Sequence, residues 1–78
     1  MNDNHRSIQQ SSEFLAALCD ELLRIALHED ELAFDEAADA PYWAPRPPSV
    51  IGHRAAARAL RDDVVQLRAR VANLPAAA

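Results

Sequence analysis

Histidine and carboxylate side chains in the first half of the chain are the first candidates for chemistry. His28, Glu31 and Asp35 stand at positions i, i+3 and i+7, so they share one face of a helix and could ligate a metal ion. A di-iron helix carries Glu-x-x-His, however, and the residue three positions before His28 is Ile25. No cysteine and histidine pair has the spacing of a zinc site either. The sequence therefore predicts no metal site.

Cys19 is the single cysteine and the one candidate nucleophile. A reactive cysteine needs basic surroundings or a helix N-terminus, whereas the acids Asp20 and Glu21 follow Cys19. We expect it to be a small buried hydrophobic side chain. The single glycine, Gly52, excludes a glycine-rich phosphate loop. We therefore expect no catalytic residue, no cofactor and no enzymatic activity.

A cluster of acids offers a different chemistry, which is the docking of a basic surface. The acidic cluster consists of Glu29, Asp30, Glu31, Asp35, Glu36 and Asp39. Carboxylates near a helix C-terminus are unfavourable, as are like charges four residues apart. The second predicted helix has the opposite unfavourable arrangement, because the positive charges of Arg54, Arg58 and Arg61 lie near its N-terminus. An antiparallel hairpin would let the two ends compensate each other. The alternative is a small acidic inhibitor or antitoxin-like protein that docks this cluster on a basic, nucleic-acid-binding site of a partner.

The segment between the predicted helices is rich in proline and aromatic residues. Four prolines lie within residues 41–48, and they exclude a helix there. Tyr42, Trp43 and Arg46 belong to the residue types that commonly anchor interfaces, which predicts a recognition segment. The other interpretation is that Tyr42 and Trp43 fold back over the open end of a helical bundle.

Apolar spacing predicts two helices that must position these groups. We expect helix 1 over about residues 12–38 and helix 2 over about 49–74, joined by a proline-rich connector at 39–48. Residues 1–11 are expected to form a disordered lead, and residues 75–78 a frayed tail.

Helix 2 carries a narrow apolar stripe, with Ser49 as its expected N-cap. The spacings alternate between three and four, which is typical of a heptad seam for one partner helix. His53 fills one slot of the seam and is expected to be a hydrogen-bonded or partly exposed histidine at the edge of the core. The apolar members are Val50, Ala57, Leu60, Val64, Leu67, Val71 and Leu74. Asp63 and Arg68 stand at g and e, so a short parallel coiled coil of helix 2 is a rival arrangement.

Helix 1 is apolar around a much wider arc. One face contains Phe14, Leu15, Leu18, Leu22, Ile25, Ala26, Leu32 and Ala33. Leu23, Leu27 and Phe34 form a second face beside it. At about 100° per residue the two faces cover roughly 220°, more than one partner helix can cover. We therefore expect an all-α antiparallel helical hairpin that pairs into a dimeric four-helix bundle.

Charge and hydropathy limit the classes of partner. Residues 1–39 hold ten acids and two arginines, a charge of −8, whereas residues 40–78 hold two acids and six arginines, a charge of +4. The net charge of −4 argues against direct nucleic-acid binding. The longest apolar run has six residues, against about 20 in a membrane helix. We expect no membrane contact and a cytoplasmic location. Abundant alanine and arginine without lysine are typical of high-GC bacterial or phage coding sequences.

The leading hypothesis is a non-enzymatic interaction or adaptor module. It would be a homodimer that oligomerises through the apolar faces of its helices, or it would bury its second face on a heterologous protein partner. The expected partner-binding residues are Leu23, Leu27, Phe34, Tyr42, Trp43 and Arg46.

Overall fold

Two long helices make up most of the part of the chain that can be described. The computed structural model describes residues 3–73, with side chains from Gln10 onward. Helix α1 spans Asp3–Asp39 and helix α2 spans Pro48–Ala72. Within residues 3–73 there is no strand, and the two helices pack against each other. The all-α prediction is confirmed.

Helix α1 begins at Asp3, nine residues before the expected start at Ser12. The helix thus includes residues 3–11, which were expected to belong to a disordered lead. Residues 3–11 contain neither proline nor glycine, so a helix nucleated further along the chain extends through them at little cost. Residues 1 and 2 lie outside the described part.

Helix α1 ends where the prolines begin. Ala40 N–H donates to Ala37 O at 3.3 Å, and Ala44 N–H donates to Pro41 O at 3.0 Å. Because Pro41 disfavours the helical conformation of Ala40, the chain leaves the helix and turns back within eight residues, 40–47.

The N-cap of α2 is Pro47 and not the expected Ser49. Pro48 takes the first helical position, and no side chain caps the helix. Proline suits that position because its fixed φ matches the helix and its missing N–H would have had no partner there. The helix ends at Ala72, where Asn73 N–H donates to Ala69 O at 3.1 Å. The predicted frayed tail at 75–78 lies outside the described residues.

The two helices run antiparallel. Near the connector, Asp30 of α1 pairs with Arg61 of α2. At the far end, Cys19 and Val71 line the same hollow. The resulting hairpin measures 66 × 15 × 11 Å, so it is one layer of two helices with no second layer over it.

The contact between the helices is made of small side chains. The buried residues are Cys19, Ala26 and Ala33 on α1, and Val50, Ala57 and Val64 on α2. On each helix they recur every seven residues, as in a coiled-coil seam. Small residues at the contact let two helix axes approach closely. No leucine, isoleucine or phenylalanine within residues 10–73 is buried.

None of the described helices has a stretch long and apolar enough to cross a membrane.

Candidate partner-binding surfaces

The position of the seam on α1 divides the hairpin into two lateral surfaces. The buried residues of the seam recur every seven positions on each helix. The residues one position before and three positions after a seam residue lie on its first flank, as Leu18 and Leu22 do beside Cys19. The residues one and four positions after a seam residue lie on the second flank. Contacts identify the flanks that meet: Glu29 approaches His53 on the first flank, and Asp30 approaches Arg61 on the second.

The first flank is lined mainly by leucines, and we call it the leucine surface. Its members are Leu15, Leu18, Leu22, Ile25 and Leu32 from α1, with Leu60 and Leu67 from α2. Leu22 and Leu67 line one hollow, which places both helices' leucines on the same side. All seven are half-buried. The contact between the helices therefore buries one part of each of these side chains and leaves the other part exposed to solvent.

The second flank, which we call the mixed surface, combines apolar and charged side chains. It carries Leu23, Leu27, Phe34, Asp20 and Asp30 from α1, and Arg54, Arg58, Arg61, Arg68, Ile51 and Val65 from α2. Leu27 is 57% exposed and Phe34 is 71% exposed, whereas Leu23 is half-buried. The three residues expected to form the second face of helix 1 thus share one flank, and α2 leaves most of that flank open.

The aromatic residues of the connector point into solvent. Tyr42 is 98% exposed and Trp43 is 74% exposed, and Arg46 is also exposed. In the single hairpin the two rings do not fold back over the end of the helices, and the interpretation in which they close the end of a bundle stays a prediction. Prolines on both sides hold this segment in a tight turn away from both flanks.

The acidic cluster is divided by the fold into two halves. Glu29, Asp30 and Glu36 are half-buried against α2, where Arg61 Nη2 donates to Asp30 Oδ2 at 2.5 Å. The remaining members, Glu31, Asp35 and Asp39, are exposed. One contact of the predicted acid–arginine kind is therefore present, between Asp30 and Arg61, whereas Glu29 and Glu36 contact His53 and the other half of the cluster faces outward.

His53 is the residue that joins this end of the hairpin. Its Nδ1 contacts Glu29 Oε2, and its Nε2 lies 3.2 Å from Glu36 Oε1. The hydrogen bond to Glu29 is the main cause that raises the pKa of His53; desolvation, the next in size, lowers it, and the negative charges of Glu29 and Glu36 raise it further. The second oxygen of Glu36, Oε2, is buried without a hydrogen-bond partner. The expected hydrogen-bonded histidine at the core edge is confirmed.

The side chains first considered for chemistry are not gathered into a pocket. His28, Glu31 and Asp35 are all exposed on the outer side of α1. Within the described part of the chain, no group of three or more His, Cys, Asp or Glu side chains is arranged to hold a metal ion. Cys19 is 2% exposed in the seam, which confirms that it is a small buried side chain.

Sequence reasoning assigned the leucines of helix 1 to the contact with helix 2, and the structure places them beside that contact. The signal that could have shown this is the register of small residues. Cys19, Ala26 and Ala33 are spaced seven apart, like Val50, Ala57 and Val64. Two lines of small residues with one period pack together more closely than a line of leucines could.

No protein-family model matches the chain, and neither the curated proteins nor the solved structures include a significantly similar one.

Proposed function

We propose that this protein is a non-enzymatic protein–protein interaction module that works as a dimer of hairpins, in which two copies form a four-helix bundle. The single observation that carries this proposal is the small-residue core. The hairpin buries six side chains, none larger than valine, and every leucine of residues 10–73 remains at least partly in water.

The energetic reason is the cost of leaving these side chains in water. Complete burial of a leucine, isoleucine or phenylalanine is worth about 1.5–3 kcal/mol. Chains of this size rarely obtain more than about 3–5 kcal/mol from one core without a staple, and the single cysteine excludes an internal disulfide. A second hairpin would supply the missing layer.

The rival function is the docking of the acidic cluster on a basic site. Three acids, Glu31, Asp35 and Asp39, remain exposed for such a contact. The other three face α2, so only half of the cluster is free to take part. This distribution supports a role of the cluster in holding the two helices together. It leaves a smaller charged surface for docking on a basic site of a partner.

The test is the mass of the purified full chain in solution. Light scattering and sedimentation at micromolar concentrations should give twice the chain mass of 8.6 kDa, together with a helical circular-dichroism spectrum. A fully helical monomer at every concentration up to the millimolar range would contradict the dimer. The remaining form of the interaction module would then be a single hairpin whose mixed surface binds a different protein.

A further inference from the structure

We infer that the second copy sits on the leucine surface, and that the mixed surface with Leu27 and Phe34 stays outside the bundle. This inference rests on the proposed dimer and names the surface that forms it. It reverses the expectation from the sequence, in which the second face of helix 1 formed the dimer.

Continuity of apolar side chains favours the leucine surface. On α1 this flank carries Leu15, Leu18, Leu22 and Ile25 in succession, and on α2 Leu60 and Leu67 lie on either side of Asp63. The charged groups of this side are Asp63 and Arg70, which line one hollow with Leu22 and Leu67, and the group at the connector end, where His53 lies between Glu29 and Glu36. An apolar centre with a charged rim is the usual anatomy of a stable interface.

Charge argues against a symmetric contact through the mixed surface. Its α2 side presents Arg54, Arg58, Arg61 and Arg68, and its α1 side adds Asp20 and Asp30, of which Asp30 is paired with Arg61. In a twofold dimer the same patch of both copies meets itself, so these charged groups would be brought to the contact, where burial of a charge costs free energy unless the charge is well paired. Long arginine stems can instead cover neighbouring apolar groups while their charges stay in water, which suits a surface that remains exposed.

The size of the leucine surface suits a second copy of the chain. Leu15 and Leu32 are 17 positions apart, about 26 Å along α1, and the hairpin is 15 Å across the two helices. The flat footprint of about 400 Å², enlarged by the relief of the side chains, is of the same order as the roughly 800 Å² that each partner buries in a standard interface. An identical hairpin offers a matching footprint.

Paired substitutions on the two flanks test the assignment. Leu18→Glu and Leu60→Glu place a charge in the centre of the leucine surface, and each should weaken dimerisation by about 100-fold or more, because an unpaired charge would be buried. Leu27→Glu and Phe34→Glu are the matched controls on the mixed surface, and they should leave the dissociation constant within about threefold. Dissociation constants come from sedimentation equilibrium, with circular dichroism to show that each variant is helical.

A second measurement uses the unmodified chain, in case a substituted hairpin fails to fold. Methyl NMR with a soluble paramagnetic agent compares the accessibility of individual leucine methyl groups as dilute protein is concentrated. The methyl groups of Leu18, Leu22 and Leu60 should become protected, whereas those of Leu27 should stay accessible.

The outcomes separate this inference from the proposed dimer. A dimer that the Leu27 and Phe34 variants disrupt, while the Leu18 and Leu60 variants do not, overturns the assignment of the surface and leaves the dimer intact. Protection of the Leu27 methyl groups without protection at Leu18 has the same meaning. A chain that never dimerises refutes the proposed function itself.

Discussion

His53 is the titratable residue whose contacts connect α2 to α1 near the connector. Its ring contacts two carboxylates of the opposite helix, Glu29 and Glu36. Sequence patterning placed this histidine in a seam slot but did not identify its partners, because the register of two helices follows from packing along their whole length. We expect this contact to make the stability of that end of the hairpin depend on pH.

The first prediction concerns this pH dependence. The pKa of His53 is raised above 6.5 in the folded chain, chiefly by its hydrogen bond to Glu29. The folded state therefore binds the proton more tightly than the unfolded state does. Protonated His53 therefore stabilises the fold fully below pH about 6.5. This stabilisation is lost as the pH rises through the higher pKa that His53 has in the folded state. Thermal midpoints measured by circular dichroism should fall across this interval.

His53→Gln supplies the test of that assignment, because glutamine can donate a hydrogen bond but does not titrate here. The fall in midpoint should disappear in this variant and persist in the control His28→Gln, since His28 is exposed on α1. Equal pH profiles for the unmodified chain and His53→Gln would show that His53 is not responsible.

The second prediction separates the two halves of the acidic cluster. Asp30 pairs with Arg61 across the helices, and partly exposed pairs of this kind contribute about 0.2–1 kcal/mol. Asp30→Asn should lower the free energy of unfolding by about that amount. Asp35→Asn should raise it by a few tenths of a kcal/mol, about 0.2–0.5, because Asp35 is exposed and lies four residues from both Glu31 and Asp39.

Urea denaturation of both variants at one protein concentration gives the comparison. If Asp35→Asn destabilises the chain as much as Asp30→Asn does, the outer acids also hold the fold, and the division of the cluster into two halves is wrong.

At the scale of the elements, the small-residue seam decides how the helices meet. Ala26 and Ala57 are fully buried at the middle of the contact. Larger side chains at these positions would separate the helix axes, and the leucines beside the seam would lose what shelter they have. Because α2 covers only the central line of the apolar arc on α1, the rest of that arc extends beyond the contact on both sides.

The third prediction is that Ala26→Leu destabilises the protein by about 1–3 kcal/mol, the usual cost of adding atoms to a well-packed core. Ala59→Leu makes the same change at an exposed position of α2, so it should alter the free energy of unfolding by less than about 0.5 kcal/mol. Chemical denaturation followed by circular dichroism measures both. An Ala26→Leu variant as stable as the unmodified chain would mean that the helices do not pack closely along this line.

At the scale of the molecule, the hairpin is a single layer. Its smallest dimension is 11 Å, about the diameter of one helix with its side chains. Such a layer exposes both flanks, and the two flanks differ in character: one is lined mainly by leucines, and the other mixes charged side chains with a few large apolar groups. This asymmetry is the basis for giving the two flanks different roles.

The fourth prediction is that thermal stability depends on protein concentration. If folding and dimerisation are coupled, the melting midpoint should rise steadily as the concentration of the chain increases. The Leu18→Glu variant should melt at a lower temperature that no longer depends on concentration. A midpoint independent of concentration for the unmodified chain, across a hundredfold range of about 1–100 µM, would indicate that the monomer carries the stability.

The sequence by itself determined the helical class, the two segments, the proline-rich turn between them and the heptad seam of α2. These features depend on local rules: periodicity, the restrictions that proline imposes on its neighbours, and the small number of residues that favour strands. Sequence reasoning also placed Cys19 in an apolar environment and His53 at the edge of the core.

Only the tertiary structure decided which line of α1 faces α2. A helix that is apolar around roughly 220° of its circumference offers several possible contact lines. The choice among them depends on how closely the two backbones can approach. Alanine and cysteine on α1 meet valine and alanine on α2, and this close packing leaves the leucines at the side, where the hairpin cannot enclose them.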